Sequence, residues 1–255
     1  MYQEERLISI MDHLRQQGRI TINQICSIFN VSRDTARRDL VRLEEDNVII
    51  RTRGGAILPS SHNTIKDYSH RLETGSEEKR EIGKRAASLI RPGDTVILDA
   101  STTVEFCTEQ IDNMDGTYIT NSINQADILS SNSEANIHLL GGLLHKEHKF
   151  LYGTSVIDKL SHYHVNKAFI GVVGISEHGL TLAHEEDGMV KRKIVQQSKQ
   201  VIALADHSKI GITDLFQYAT LDEIDLLITD QTPEADFLDL LDTHHVELLV
   251  TQSDQ

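Results

Sequence analysis

Residues 21–56, TINQICSIFNVSRDTARRDLVRLEEDNVIIRTRGGA, constrain the fold more than any other stretch, because caps, apolar spacing and turn residues succeed one another without a gap. Thr21 and Gln24 form a capping-box pattern, in which the Thr hydroxyl and the Gln amide each meet a backbone group at a helix start. The pattern predicts a helix over residues 22–29, with Ile25, Ile28 and Phe29 on its buried side. Asn30-Val31-Ser32 turns the chain, since Asn tolerates a left-handed backbone and Ser32 can cap the next helix. That second helix is expected over residues 33–46, with Ala36, Leu40 and Leu43 on its packed face and Arg33, Arg37, Arg38 and Arg42 on the other.

Asn47 ends that helix, and residues 48–51 and 56–58 read as two short strands around Arg53-Gly54-Gly55, whose glycines permit the positive φ of a tight hairpin. The sum is a helix-turn-helix and then a β-wing. Arginine presents a planar fork that binds guanine bidentately or clamps a phosphate, so an arginine face beginning at the N-terminus of the second helix suits double-stranded DNA. The expected DNA-binding residues are Thr21, Ser32, Arg33, Thr35, Arg37, Arg38, Arg42, Arg51 and Arg53, with Arg33, Thr35 and Arg37 at base edges. A solvated basic helix beside an ordinary turn is the alternative, as is a protein-interaction module, but the latter leaves the arginine face unexplained. An earlier helix carries Leu7, Met11 and Leu14 on one stripe and stops at Gly18.

The net charge of −14 is unusual for a DNA binder until it is divided along the chain. Residues 1–58 hold nine Arg, no Lys and eight Asp or Glu, a net of +1, which leaves −15 on the remainder. An acidic body repels DNA at long range, so contact is expected to be confined to the N-terminal domain and to weaken with salt. A length of 255 residues suits two domains. The expected division is 1–58 for the DNA-binding domain, 59–75 for a linker with few apolar residues, and 76–255 for a second domain. Cys26 and Cys107 fall one in each domain, so neither a disulfide framework nor a CxxC metal site is expected. The charged start and the lack of an apolar run near ~18 residues predict a cytoplasmic protein without a membrane segment.

Beyond residue 76 helical patterns alternate with β-rich runs at 95–98, 118–120, 137–140, 168–172, 201–204, 226–229 and 247–250, which predicts an α/β domain with a largely parallel sheet. Ligands of such sheets bind beyond the carboxyl ends of the strands, near helix N-termini. Those ends carry Asp99-Ala100-Ser101-Thr102-Thr103, Asn121-Ser122, Gly141-Gly142 and Asp206-His207-Ser208-Lys209. Each loop alone also reads as a helix cap or a plain turn.

Taken in order, TARRDL, RTRGGA, LDASTT, TNS, LGG, GxxGI, DHSKIG and ITD resemble the DeoR family of bacterial transcription regulators over essentially the whole chain. The resemblance implies a winged helix joined to an effector domain similar to ribose-5-phosphate isomerase, in a repressor that responds to a phosphorylated sugar. It implies an effector site of Asp99, Ser101, Thr102, Thr103, Thr120, Asn121, Ser122, Gly141, Gly142, Gly174, Glu186, Lys191, Asp206 and Lys209, with Glu186 and Asp187 interchangeable in the alignment. Ala100 or Ser101 stands where the family usually has Gly. The competing reading is a sugar-phosphate isomerase-like enzyme, which needs a carboxylate base. The loop Gly171-Val172-Val173-Gly174-Ile175 supplies none before Glu177, so no catalytic residue is expected. Nothing calls for a cofactor. Thirteen histidines show no zinc-like cluster and are expected at the surface or hydrogen-bonded, His207 either touching a ligand or shaping its turn. Operator symmetry leads to an expected homodimer or homotetramer.

Overall fold

The computed structural model describes residues 3–17, 19–45, 49–52, 54–57, 68–74, 76–112, 115–131 and 134–251. The chain divides into two compact units, Met1–Ile65 and Lys66–Gln255.

In the first unit α1 (Gln3–Gln17), β1 (Arg19–Thr21), α2 (Ile22–Phe29), α3 (Arg33–Glu45), β2 (Ile50–Thr52) and β3 (Gly55–Ile57) enclose a core of Ile10, Leu14, Ile20, Ile25, Ala36, Leu40, Leu43, Ile49 and Ala56. The capping box at Thr21 is present, and Asn30 adopts the left-handed conformation at φ 51°. Three details differ from the sequence reading. Ile28 is 52% exposed, because the buried stripe of this two-turn helix runs through Ile22, Ile25, Cys26 and Phe29 and leaves position 28 to one side. The wing is three-stranded, β1 pairing with β3 as well as β2 with β3. Gly55 does not have a positive φ; a Cβ there would lie 2.0 Å from the Ile20 carbonyl oxygen, so close approach of β1 is what demands glycine. Gly18, Asn47, Val48 and Arg53 lie outside the described residues.

The second unit runs α4 (Tyr68–Glu73), α5 (Ser76–Ala87), β4 (Asp94–Leu98), α6 (Thr102–Glu109), β5 (Gly116–Thr120), α7 (Ile123–Ser130), β6 (Ala135–Leu139), β7 (Leu143–His145), β8 (Phe150–Tyr152), α8 (Thr154–Leu160), β9 (Lys167–Gly171), β10 (Gly174–Ser176), β11 (Gly179–Leu182), α9 (Glu185–Gln196), β12 (Val201–Leu204), β13 (Phe216–Ala219), β14 (Leu226–Thr229), α10 (Ala235–Thr243) and β15 (Glu247–Val250). Seven strands form one sheet in the order β15-β14-β12-β9-β4-β5-β6, every pair parallel. Period-two alternation sends Ile97, Ile119, Ile170 and Ala203 to the face covered by α8, α9 and α10. It sends Val96, Leu98, Tyr118, Phe169 and Ile202 to the face covered by α5, α6 and α7. Both faces are buried, as a parallel sheet requires.

From β4 the chain builds outward through β5 to β6, then returns to β9 on the other side of β4 and builds outward again through β12, β14 and β15. The order therefore reverses between β4 and β9, which opens a crevice beyond their carboxyl ends. Within the stretch read as a linker, residues 68–73 are helical and Tyr68 is 2% exposed, so this segment belongs with the second unit. A phenol packed into the fold holds a helix that the local sequence alone does not announce.

Candidate nucleic-acid interface and effector pocket

The first turn of α3 is capped by Ser32, whose hydroxyl oxygen accepts the Thr35 N–H at 3.1 Å. Ala36, Leu40 and Leu43 face the core, which turns Arg33, Arg37, Arg38 and Arg42 to solvent and leaves Thr35 half-buried. Arg33 donates to Asn23 Oδ1 at 2.8 Å, which ties the start of α3 back to α2. Arg38 Nε donates to the Asp34 carbonyl at 3.3 Å. Arg37 has only a loose 4.0 Å pairing with Asp34. Arg51 on the wing pairs with Glu44 at 3.3 Å. Thr21 is exposed, though its hydroxyl is occupied with Gln24. Behind this face Asp39 is fully buried and takes a two-pronged ion pair from Arg6, with Nε to Oδ2 at 2.5 Å and Nη2 to Oδ1 at 3.0 Å. The pair locks α1 to α3, and an aspartate directly before Leu40 on the packed face was the available signal for it.

At the sheet reversal, Asp99 comes directly after β4 and is 1% exposed, while Lys191 on α9 is 4% exposed. Lys191 Nζ binds Asp99 Oδ2 and the Gly171 carbonyl, the latter at 3.0 Å. Asp99 Oδ1 accepts the N–H groups of Ser101 at 3.1 Å and Gly171 at 3.2 Å. One carboxylate thus joins the ends of β4 and β9. Gly171 has a steric reason to be glycine, because an added Cβ would lie 1.9 Å from Ser101 Oγ. Ser101 in turn caps α6 through the Val104 N–H at 3.0 Å. Thr102 and Thr103 are buried in the first turn of α6.

Gln125 on α7, fully buried, stitches the second loop to the first: its amide nitrogen donates to the Asp99 carbonyl, and its oxygen accepts the Thr120 hydroxyl at 3.0 Å. The Thr120 hydroxyl also accepts the Ser122 N–H at 3.0 Å. Asn121 donates from Nδ2 to the Leu151 carbonyl at 3.1 Å, while its buried Oδ1 has no hydrogen-bond partner.

Asp187, one turn before Lys191, faces this cluster, whereas Glu186 is exposed. Burial pushes the Asp187 carboxyl up to about 7, with the Arg71 charge opposing. Burial pushes the Lys191 amine down to about 7, Arg71 adding to the effect; the contact with Asp99 acts the other way. The Tyr218 hydroxyl is buried beside them without a hydrogen-bond partner, and its ring centre lies 5.8 Å from Lys191 Nζ.

Asp206 at the end of β12 accepts the N–H and hydroxyl of Ser208, and its Oδ2 lies 3.9 Å from Lys209 Nζ. His207 is held by Asp230, which accepts its N–H and meets its ring Nδ1, both at 2.6 Å. Its turn-shaping role is thereby visible. Lys79 on α5, 7% exposed, completes a cationic side: its ammonium donates to the carbonyls of Arg71 at 2.5 Å and Thr74 at 2.7 Å. Burial, with the Arg71 and Lys209 charges, pushes it down to about 8 against the pull of Asp206. A lysine in step with Ile82, Gly83 and Ala86 was the signal for this residue.

Two expected groups stand apart. Gly141 and Gly142 are exposed and line a hollow of about 570 Å³ at the β6 edge with Leu139, Ser155, Lys159 and Tyr163. That hollow shares no lining residue with the Asp99 and Lys191 cluster. Gly174 is buried on β10, where an added Cβ would lie 2.7 Å from the Ile212 carbonyl oxygen, so packing accounts for it. Histidines meet the expectation of hydrogen-bonded placement where His207 and His244 pair with Asp230 and Asp222, each at 2.6 Å, and His145 Nδ1 accepts the His148 N–H at 3.3 Å. His145, His148 and His184 pack together with ring centres 4.7 to 5.8 Å apart, and His148 is 4% exposed. Among the described residues no group of His, Cys, Asp and Glu has the arrangement of a metal site, and no helix is long and apolar enough to cross a membrane.

The chain is 67% identical to the HTH-type transcriptional repressor GlcR of Bacillus subtilis (strain 168), covering 100% of this chain and 99% of the relative. It is 32% identical to the glycerol-3-phosphate regulon repressor of Escherichia coli (strain K12), covering 97% and 99%. Both relatives are named as repressors rather than enzymes. A ribose 5-phosphate isomerase A from Methanocaldococcus jannaschii aligns over 54% of this chain and 55% of its own at 16% identity and a TM-score of 0.40, too distant to carry argument. Residues 6–62 match the DeoR-like helix-turn-helix domain and residues 74–231 the DeoR C terminal sensor domain. The two matches fall on the two units of the fold, the helix-turn-helix and the parallel-sheet domain, and the chain belongs to the DeoR family of transcription regulators.

Proposed function

We propose that this regulator is a repressor of a sugar or polyol catabolism operon, active in the cytoplasm as a homodimer or homotetramer, whose grip on its operator is set by a phosphorylated sugar. The observation that carries the reading is the junction of β4, β9 and α9, where the Asp99 and Lys191 pair closes the floor of a switch-point crevice. Around it stand groups suited to a phosphorylated polyol. Lys79 and Lys209 offer positive charge, while Asn121 Oδ1 and the Tyr218 hydroxyl are buried acceptors and donors without partners. Turnover lacks support, because Asp99 is committed to Lys191 and the first acid after Gly171, Glu177, is exposed. On the DNA side the exposed arginines of α3 enter the major groove, with Arg33, Thr35 and Arg37 at base edges, while Arg38, Arg42 and Arg51 hold phosphates. Arg53 belongs to the same proposed set, although it lies outside the described residues.

The test is a thermal-shift screen of the full chain against ribose 5-phosphate, glucose 6-phosphate, fructose 6-phosphate and glycerol 3-phosphate, beside their unphosphorylated counterparts, repeated on Lys209→Ala. A ligand at ~100 times its dissociation constant stabilises by about 2.7 kcal/mol, enough to move the melting point by several degrees. A shift with one phosphorylated compound, diminished in Lys209→Ala, is expected. Equal shifts with the phosphorylated and unphosphorylated forms would remove the phosphate from the reading.

A further inference from the structure

Strand β6 ends the large sheet: β5 lies on one side of it, and among the described residues no strand lies on the other. A free edge presents a row of unpaired N–H and C=O groups, and proteins guard such edges with charged residues, proline or a bulge. The opposite edge strand, β15, carries an exposed acid, Glu247. The β6 edge has none of these guards. Its register with β5 runs unbroken from Ala135 to Leu139, and residues 135–144, ANIHLLGGLL, contain no Asp, Glu, Lys, Arg or Pro, although residues 59–255 carry a net charge of −15. Leu139, Leu143 and Leu144 in the same stretch are 48%, 65% and 43% exposed. Apolar side chains gathered this closely at a surface mark a place of contact.

The pairing with β5 fixes which backbone groups are free. The Leu140 N–H donates to the Thr120 carbonyl at 2.9 Å, so by alternation Asn136 and His138 also turn their backbone groups inward, while Ala135, Ile137 and Leu139 turn theirs outward. A second copy of the strand, running antiparallel about an axis through Ile137, matches all three outward residues. Ala135 then faces Leu139 of the second copy, Ile137 faces Ile137, and Leu139 faces Ala135. On one face of the sheet a small side chain meets a large one, twice. On the other, which β6 shares with Ile119 of β5, the Asn136 amide meets the His138 imidazole, also twice, and each can donate to or accept from the other. An uncharged strand meets its own copy without the repulsion that the acidic remainder of the unit would bring.

We propose that the β6 edge is the surface through which two copies of this chain join, their large sheets continuing into one across a two-fold axis at Ile137. The proposal rests on the homo-oligomer reading given above and adds to it the surface and the register. The hollow of about 570 Å³ beside the strand, walled by Ser155, Lys159 and Tyr163, gives the exposed leucines of the second copy a place to be buried. A pair joined in this way carries two DNA-binding units under one two-fold axis, the symmetry of an inverted-repeat operator.

The test is sedimentation of the full chain over a wide concentration range. Leu139→Lys and Leu143→Lys each place a charge on the joined surface and are expected to lower the assembly by one step, dimer to monomer or tetramer to dimer, with the dissociation constant raised at least about tenfold. Leu215→Lys, in the loop before β13, alters a leucine that is 85% exposed but away from this edge, and is expected to leave the assembly unchanged. Cysteine placement decides the matter if the lysine variants do not fold. On a Cys26→Ser background, with Cys107 buried, Ile137→Cys brings two Cα atoms about 5.5 Å apart at the axis, within disulfide range. Mild oxidation is expected to link that variant into a covalent pair. Leu139→Cys, whose two copies lie about 13 Å apart along the strands, is expected to stay unlinked. Unchanged assembly in both lysine variants, with no linked pair from Ile137→Cys, would overturn the surface and leave the oligomer reading standing. Linkage through Leu139→Cys and not through Ile137→Cys would overturn the register. A wild type that remains monomeric throughout removes the oligomer reading, and the proposal falls with it.

Discussion

On α3 the arginines stand in water, the Arg37 side chain 64% open, whereas in the sensor Asp99 and Lys191 are 1% and 4% exposed and joined to each other. The contrast comes from what each unit has to meet. A DNA groove is a large external surface, so the residues proposed to read it are presented on a helix whose opposite face, Ala36, Leu40 and Leu43, does the folding. On the proposed function a small polar effector has to be enclosed, so the residues proposed to hold it are also those that join β4 to β9 and the loop before α7 to the loop before α6. On that reading folding and recognition are separable in the first unit and merged in the second.

The separation is broken most severely at Lys191. Lys191→Ala leaves the Asp99 carboxylate buried without its partner and is expected to destabilise the sensor unit by about 3–5 kcal/mol. Calorimetry of the full chain should show the sensor transition falling while the transition of the DNA-binding unit stays in place. If neither transition moves, the pair is open to water and the merged description of the sensor is wrong.

The opposite outcome is expected at Arg37. Arg37→Ala should weaken operator binding by about 2 kcal/mol, roughly thirtyfold, while both melting transitions and sugar-phosphate binding stay within error. Its loose 4.0 Å pairing with Asp34 holds nothing in place. Anisotropy at two salt concentrations separates a base contact from a phosphate contact, because only the latter lowers the salt slope by about one ion. A loss of stability comparable to the loss of affinity would show that the first unit also merges the two tasks.

The same contrast explains what was legible in the sequence. Apolar period and caps specify local structure, and they located α2, α3 and all seven strands of the large sheet, three of them, β12, β14 and β15, residue for residue. The loop Asp99 to Thr103 was legible because its residues come directly after a strand. Lys191 was reached only through the family resemblance, and its partner could not be named, because Asp99 and Lys191 are distant in sequence and meet only through the parallel pairing of β4 with β9. The strands β10, β11 and β13 were missed, being three or four residues long and defined by pairing rather than by period. Helix α4 was hidden because its support, Glu105 and Lys79, comes from other elements. Gly141 and Gly142 differ from the Asp99 loop in that they follow a strand at the sheet edge and line a separate hollow there.

Asp187 tests whether the pocket is as enclosed as the merged picture demands. Its carboxyl is raised from 3.8 to about 7 by burial, so the unfolded chain releases this proton first. The unliganded fold therefore loses stability as pH rises from about 4 through 7, and the penalty is complete above that range. Arg71, Lys191 and Tyr218 face the group and stay in their present forms through most of that window. Asp187→Asn should flatten the slope, gaining about 1–2 kcal/mol on wild type at pH 8 relative to pH 5, once water at the pocket mouth is allowed for. Parallel curves for the two proteins would mean that the carboxyl is solvated and the crevice more open than drawn.

Ser32 brings the smallest effect and the finest division between the two tasks. Its hydroxyl caps α3 by accepting the Thr35 N–H at 3.1 Å, and it also lies 2.9 Å from the Thr35 hydroxyl at the end of the helix proposed to meet DNA. Removing a serine cap costs about 0.5–1 kcal/mol at an exposed helix start. If capping is all that Ser32 does, Ser32→Ala should lower the first unit's melting point slightly and Ser32→Asp, which restores the cap, should recover it. A phosphate contact predicts a different pattern, because the aspartate would repel the backbone. Recovered stability together with weakened DNA binding in Ser32→Asp would assign the hydroxyl to both tasks, so that folding and recognition would share an atom in the first turn of α3.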